Sequence, residues 1–186
     1  MTVESALADS EKKMKGALGV LHEELGAIRT GRATPALLNR VTVDYYGTQT
    51  PMSQLAQFSV PEPRLLVIQP YDKGSIPAME KAIQQSDLGL TPSNDGNVIR
   101  LGFPPLTEER RRELIKIVHE RAEAGRVAVR NVRRHHKDQL EKLEREHTIS
   151  EDELRRAEKE LQRLTDQYVS EVDQILGAKE KELSEV

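Results

Sequence analysis

The sequence has no cysteine and no tryptophan, and only 3% of its 186 residues are aromatic. Without cysteine, disulfides, thiolate nucleophiles and cysteine metal sites are all excluded. No apolar run approaches the ~18 residues that a membrane-spanning helix requires, and the first residues lack the apolar centre of a signal peptide. These absences predict a soluble, cytoplasmic chain that makes no contact with a membrane.

Charged residues are abundant, which suits long helices better than one large core. The chain has 28 basic and 31 acidic residues, whereas only 37% of its residues are hydrophobic. This composition favours amphipathic helices, because such helices need only a narrow apolar stripe. The net charge of −3 identifies no partner, since the distribution of charge matters more than its sum.

Proline, charge and aromatic residues are distributed unevenly. All nine prolines lie between Pro35 and Pro105, and proline disrupts the interior of a helix. Residues 31–104 contain five of the six aromatic residues but only 6 basic and 6 acidic ones. The flanking segments are therefore free to form long helices, whereas the middle of the chain is not.

This division predicts a domain inserted into another domain. Residues 1–30 and 106–186 would form the outer domain, and residues 31–105 the inserted one. The chain crosses between them twice, with glycine at one crossing and proline at the other, which predicts a hinge of limited range. The predicted hinge residues are Thr30, Gly31, Pro104 and Pro105.

The outer domain has the hydrophobic spacing of three helices. Apolar residues recur at steps of three, four or seven over 3–28, 114–143 and 154–183. Ser150 and Glu153 have the spacing of a capping box at the start of the third helix. Short polar connections predict antiparallel neighbours and thus an elongated three-helix bundle. The predicted core positions include Ser10, Gly125, His136, Ile175 and Lys179.

The inserted region is predicted to be a small β/α/β domain, so that the fold class is α+β. Strands are predicted at 41–45, 65–68 and 99–103 from alternation or short apolar runs. A short helix precedes Gly89, which would be its left-handed cap, and residues 92–96 have the composition of a turn.

The sequence contains none of the catalytic motifs with a recognisable mechanism. A phosphate-binding glycine loop, a nucleophile elbow and a zinc-protease helix are all absent. His135 and His136 are adjacent, so their side chains diverge by about 100° on a helix and do not suit one metal ion. We predict that the chain is not an enzyme and uses no metal or cofactor, and we assign these histidines no role.

One charge pattern stands out on the second predicted helix. Its five cations occupy a sector of about 100°, and no acidic residue lies within 124–137. They are Arg126, Arg130, Arg133, Arg134 and Lys137. Without acidic partners at i,i+4 spacing, these like charges would repel, which favours a polyanion partner over a merely solvated face. Arginines bind phosphates bidentately, so we predict contact with an RNA or DNA backbone.

A second basic set flanks the first crossing. Arg29 and Arg32 lie beside Gly31, and two interpretations remain open. Either this is a helix end, with Gly31 as the left-handed residue that follows the cap, or the arginines bind phosphate.

Six segments of the chain, in their order and spacing, resemble those of bacterial ribosome recycling factors. They are Ile28–Ala33, Asp44–Gly47, Ser86–Leu90, Pro104–Arg111, Val127–Arg134 and Ile149–Glu153. Together they extend over nearly the whole chain. The resemblance implies an L-shaped molecule in which a hinged β/α/β domain is joined to the bundle.

The resemblance also implies a function. As a monomer, the chain would bind the post-termination ribosome and, with elongation factor G and GTP, separate it into subunits and free the mRNA. The bundle would lie on large-subunit ribosomal RNA, and the mobile inserted domain would face the small subunit. Arg130 and Arg133 match ribosome contacts of the family, with Arg29 and Arg32 also implicated. The alternative is a coiled-coil adaptor or chaperone that binds proteins, in which the basic helix face is only solvated.

Overall fold

The computed structural model describes residues 2–185, which form two compact units. One unit comprises the chain up to Arg29 together with Glu108–Glu185, and the other comprises Thr30–Thr107. Helices are combined with two small sheets, so the predicted α+β class is confirmed. The elements are α1 (Val3–Gly26), β1 (Thr42–Tyr45), β2 (Thr48–Pro51), β3 (Ala56–Glu62), β4 (Leu65–Pro70), α2 (Ile76–Gln85), β5 (Pro92–Asn94), β6 (Ile99–Gly102), α3 (Glu108–Arg145) and α4 (Glu151–Ser184).

Helices α1, α3 and α4 pack against one another as a three-helix bundle. The ion pairs between α3 and α4 give their relative direction: Arg126 pairs with Asp173, whereas Lys137, further along α3, pairs with the earlier Glu158. The two helices are therefore antiparallel, as predicted. With 38 and 34 residues they extend about 57 and 51 Å at 1.5 Å per residue.

Helix α1 is also antiparallel to α3, and one contact between them involves a buried polar group. His136 lies within the apolar stripe of α3 and is 1% exposed. Its Nδ1 lies 2.8 Å from the carbonyl oxygen of Val132, and its Nε2 lies 2.8 Å from Oδ2 of Asp9 on α1. Lys13 and then His136 lower the pKa of the Asp9 carboxyl. The imidazole thus links two helices from inside the core.

Most of the predicted core positions of the bundle are buried, but Gly125 and Lys179 are only half-buried. Ser10 and His136 are buried in the core, as the spacing indicated. On α4 the prediction of Ile175 was wrong by one residue, because Leu176 is buried and Ile175 only half-buried. The next buried residue of α4 after Val172 comes four positions later, at Leu176, and not three positions later, at Ile175. A step of four residues keeps the side chain on the core-facing side of the helix.

Helix α4 begins where the capping-box spacing predicted. Ser150 Oγ accepts a hydrogen bond from the Glu153 backbone N–H, and the Glu153 carboxylate accepts one from the Ser150 backbone N–H. The backbone and side-chain hydrogen bonds from Ser150 lower the pKa of Glu153. Two donors that the helix leaves open at its first turn are satisfied in this way.

In the inserted unit, strands β3, β4, β6 and β5 form an antiparallel sheet in that order, and β1 and β2 form a separate hairpin. Helix α2 lies between β4 and β5 in the chain and buries Ile76, Met79 and Ile83 against the sheet residues. The core of this unit is continuous and aliphatic, with Leu66, Ile68, Ile99, Leu101, Met52, Leu38 and Val43 at 0% exposure.

Three details of the inserted unit differ from the predictions. Strands β2 and β3 were not predicted, and Pro92–Asn94 forms β5 rather than part of a turn. The turn lies one step later, where Asp95 accepts backbone N–H groups and Gly96 has φ +87°. Gly89 is left-handed at φ +68°, but α2 already ends at Gln85, so Gly89 belongs to the following loop and not to the cap.

None of the helices in the described chain combines the length and the apolar composition that a bilayer crossing requires. Within residues 2–185, no three side chains of His, Asp or Glu are grouped so that they could hold a metal ion.

Candidate nucleic-acid interface

Helix α3 holds the five predicted cations, which we call the basic stripe: Arg126, Arg130, Arg133, Arg134 and Lys137. They lie beside the buried stripe that contains Val129 and His136, so the helix is fixed in rotation by its core and the cations are fixed with it. Their environments are not equal, however. Contacts with neighbouring carboxylates divide the basic stripe into two ends and a centre.

At one end of the basic stripe, Arg126 is held between two carboxylates. Its Nε and Nη2 donate to Oδ1 of Asp173 at 2.8 and 2.6 Å, and its Nη1 donates to Glu123 at 2.9 Å. Only 21% of the side chain is exposed. Pairing with Asp173, and secondly with Glu123, raises the pKa of the guanidinium. Arg126 therefore serves the α3–α4 contact, and the two carboxylates offset its positive charge toward an approaching ligand.

At the other end, Lys137 has a similar arrangement. Its Nζ lies 3.7 Å from a carboxylate oxygen of Glu141 on α3 and 3.5 Å from one of Glu158 on α4. Each end of the basic stripe thus has one carboxylate from its own helix and one from α4. The one cation and the two carboxylates at each end together carry a net charge of about −1.

The centre of the basic stripe has weaker acidic contacts. Arg130 is 53% exposed, and its nearest carboxylate, Glu123, is 3.7 Å away and already bonded to Arg126. Arg133 Nη1 donates to the amide oxygen of Gln162 at 2.7 Å, and Arg134 Nη2 donates to Asn131 at 3.3 Å. These amide partners are neutral, so the centre keeps its positive charge.

The prediction that the basic stripe lacks acidic partners was therefore wrong at its ends. Glu123 lies three residues before Arg126 and Glu141 lies four residues after Lys137, so both could have been found by extending the search beyond 124–137. The partners Asp173 and Glu158 could not have been found in this way, because they lie on α4, and the sequence does not give the register of α4 against α3. Within the described chain the prediction holds for Arg133 and Arg134, whose partners are amides, but not for Arg130, which lies 3.7 Å from Glu123.

Arg29 and Arg32 are both exposed, and they belong to different units, because the boundary falls after Arg29. Gly31 has φ +74°, a conformation that favours glycine. The helix-end interpretation of Gly31 was wrong, since α1 ends at Gly26 with Ala27 as its C-cap. Gly31 instead lies at a bend in the irregular segment that follows α1, with Thr30 buried beside it.

The inserted unit anchors the chain just inside both crossings. The Ala33 N–H donates to the carbonyl of Pro63 at 2.8 Å, and the Phe103 N–H donates to the carbonyl of Arg64 at 2.8 Å. Pro63 and Arg64 form the turn between β3 and β4. The entering and leaving chains are therefore fixed to adjacent residues, and the predicted hinge residues Thr30, Gly31, Pro104 and Pro105 lie just outside these two hydrogen bonds.

These features define a class of protein: an antiparallel three-helix bundle that is interrupted by a sheet-containing unit and carries a cationic patch on its longest helix. Comparison with known proteins gives the family. The ribosome recycling factor family profile matches residues 21–183. The Ribosome-recycling factor of Acidothermus cellulolyticus is 55% identical over 184 residues, which cover 99% of this chain and 100% of that protein.

Solved structures agree with this result. A solution structure of a ribosome recycling factor matches with a TM-score of 0.74 and 47% identity, over 100% of this chain and 99% of the other. A structure of the T. thermophilus ribosome recycling factor and E. coli elongation factor G bound to the E. coli post-termination complex matches with a TM-score of 0.64 and 47% identity, over 98% and 99% of the two chains. The chain belongs to the ribosome recycling factor family, so the resemblance found in the sequence is confirmed.

Proposed function

We propose that this chain recycles ribosomes after termination. It binds the post-termination ribosome and, with elongation factor G and GTP, promotes its dissociation into subunits, so that the ribosome leaves the mRNA and can begin a new round of translation. The observation that carries the proposal is the match over almost the whole chain to ribosome recycling factors, one of them in a post-termination complex with elongation factor G. The site of action is the cytoplasm, where translating ribosomes are found.

The bundle supplies affinity in this proposal. The centre of the basic stripe, Arg130, Arg133 and Arg134, contacts phosphates of large-subunit ribosomal RNA, and Arg126 and Lys137 flank that contact. The hydrogen bond from Arg133 to Gln162 on α4 supports this role, because it orients that guanidinium group before the RNA arrives and so lowers the entropy cost of binding. The planar guanidinium matches phosphate oxygens bidentately.

The inserted unit supplies movement. Thr30, Gly31, Pro104 and Pro105 form the hinge, with Arg29 and Arg32 contacting RNA beside it, and the unit turns toward the small subunit as a rigid body. Its continuous aliphatic core and the two hydrogen bonds to Pro63 and Arg64 support rigid-body behaviour. Movement is then confined to the few residues outside those bonds.

A sedimentation assay tests the proposal. Post-termination ribosomes are incubated with this protein, elongation factor G and GTP, and free subunits are separated on a sucrose gradient. We expect free subunits only when all three components are present, and omission of elongation factor G or of GTP is the control. Intact ribosomes in the complete mixture would contradict the proposal.

A salt titration separates this function from a protein-binding adaptor. Phosphate contacts release counterions, so the logarithm of the ribosome affinity should fall linearly and steeply with the logarithm of the salt concentration. A flat dependence would favour an adaptor that uses the apolar faces of its helices.

A further inference from the structure

The two ends of the basic stripe carry more negative than positive charge, although the sequence there is basic. Arg126 faces Glu123 and Asp173, and Lys137 faces Glu141 and Glu158. We call these four acidic residues the carboxylate fence. Each end sums to about −1, whereas the three central arginines sum to +3. In the part of the chain that the structure describes, one carboxylate forms an ion pair with them: Glu123, which is already counted with Arg126, lies 3.7 Å from Arg130.

The carboxylate fence is held in place rather than incidental. Asp173 binds Arg126 through two nitrogens, at 2.6 and 2.8 Å. Between the fence residues of α4, Gln162 accepts from Arg133 and donates to Asp166 at 2.8 Å. The contacts follow one antiparallel register, so Asp173 and Glu158 on α4 lie beside the two ends of the basic stripe, and the neutral Gln162 lies beside its centre.

We propose that the carboxylate fence restricts the polyanion site of the bundle to Arg130, Arg133 and Arg134, and so makes the bundle discriminate against unstructured polyanions. The inference rests on the proposed function and adds to it a device for selectivity. These three residues extend over only about 6 Å of helix axis, whereas the whole basic stripe extends over about 16 Å.

The physical reason lies in how folded and flexible polyanions approach a surface. A flexible strand that lies along α3 brings phosphates next to the fence at both ends, where like charges repel. A folded RNA can present a few phosphates to the centre while its other phosphates stay away from the fence. Repulsion at the ends thus lowers the affinity for a flexible strand more than the affinity for a folded RNA. The bundle gains specificity because the flexible strand is repelled.

The test neutralises one fence residue at each end. Glu158→Gln and Asp173→Asn keep side-chain shape and change only charge, and both side chains are partly exposed, at 34% and 56%. The probe is fluorescently labelled poly(U), titrated with the full-length protein at several salt concentrations. The matched control is Glu160→Gln with Glu171→Gln, which changes the net charge equally on a face of α4 about 140–160° away from Asp173.

We expect the fence double variant to bind poly(U) roughly tenfold more tightly than the wild type, and each single variant roughly threefold more tightly, as removal of surface charge repulsion allows. The dependence of affinity on salt should steepen by about one phosphate contact. The control double variant should stay within about twofold of the wild type. Thermal melts by circular dichroism establish that all variants are folded at the assay temperature.

Two results would overturn the inference. If the fence variant bound poly(U) like the wild type, the carboxylates would exclude nothing. If the control gained as much affinity as the fence variant, net charge alone would explain the effect. Ribosome splitting by the wild type is measured alongside; its failure would contradict the proposed function, whereas unchanged poly(U) binding with normal splitting would contradict only the fence.

Discussion

Arg130 and Arg126 lie one helical turn apart on the basic stripe, and replacing each by alanine should have different consequences. Arg130 is half exposed, with its nearest carboxylate at 3.7 Å, so its charge is available to a phosphate. Arg126 is one-fifth exposed and already bonded to two carboxylates. Both substitutions change the net charge by the same amount, so they differ only in what the side chain contacts.

For Arg130→Ala we expect the affinity for large subunits to fall about ten- to a hundredfold, because a charge-assisted hydrogen bond contributes roughly 1.5–3 kcal/mol. The salt dependence should become shallower by about one phosphate contact. The melting temperature should hardly change, since an exposed ion pair contributes only about 0–1 kcal/mol. Arg126→Ala should weaken binding only a few-fold, but it should lower the melting temperature by removing the contact between α3 and α4.

The assay is co-sedimentation with purified large subunits at three salt concentrations, together with thermal unfolding by circular dichroism. Arg155→Ala is the control, because Arg155 is an exposed arginine of α4 that lies outside the basic stripe and pairs with Glu151 of its own helix. If Arg126→Ala weakened ribosome binding as much as Arg130→Ala, the division of the basic stripe into ends and centre would be wrong.

Four further outcomes are expected. Arg133→Ala should weaken ribosome binding and also lower the melting temperature by a few degrees, because it removes the bond to α4; an unchanged affinity would contradict its place at the centre. Gly31→Val forces a β-branched residue to φ +74°, at a cost of roughly 1–3 kcal/mol, and should slow splitting more than binding; a wild-type rate by stopped-flow light scattering would count against a hinge there. A chain that joins 1–30 to 105–186 through a short linker should bind large subunits without splitting ribosomes, and full splitting activity would refute this. Backbone N–H groups hold the pKa of Asp95 well below its usual range, so its contribution to stability is present above about pH 4 and lost as the pH falls further; Asp95→Asn should reduce that acid dependence in amide exchange of the inserted unit.

Local signals were predicted from the sequence most accurately. The cap of α4 depends on Ser150 and Glu153, three residues apart, and the structure contains both of its hydrogen bonds. The positions of Ser10 and His136 in the core followed from spacing alone, because a helix repeats its faces regardless of residue type. Ile175 was predicted where Leu176 is buried, since two adjacent apolar residues leave the phase of the stripe open.

Features that depend on distant parts of the chain were not predicted. Strand β3 contains Pro61 and has little alternation in its burial, so its pairing with β4 and not its own pattern makes it a strand. The residues of α4 that pair with the basic stripe, Asp173 and Glu158, were also missed, because this contact too depends on a distant part of the chain. Asp173 lies 47 residues after Arg126, and only the packed register of the two helices brings them together.

The contact between His136 and Asp9 has a consequence for how the bundle aligns its helices. An apolar stripe with a seven-residue repeat looks much the same after a shift by one repeat, so leucines alone define the register weakly. A shift of α1 by seven residues in either direction would place Thr2 or Gly16 opposite His136, and neither has a carboxylate. The buried ring would then lose a partner at a cost of about 1–3 kcal/mol, so this one polar pair makes misaligned bundles less stable than the native alignment.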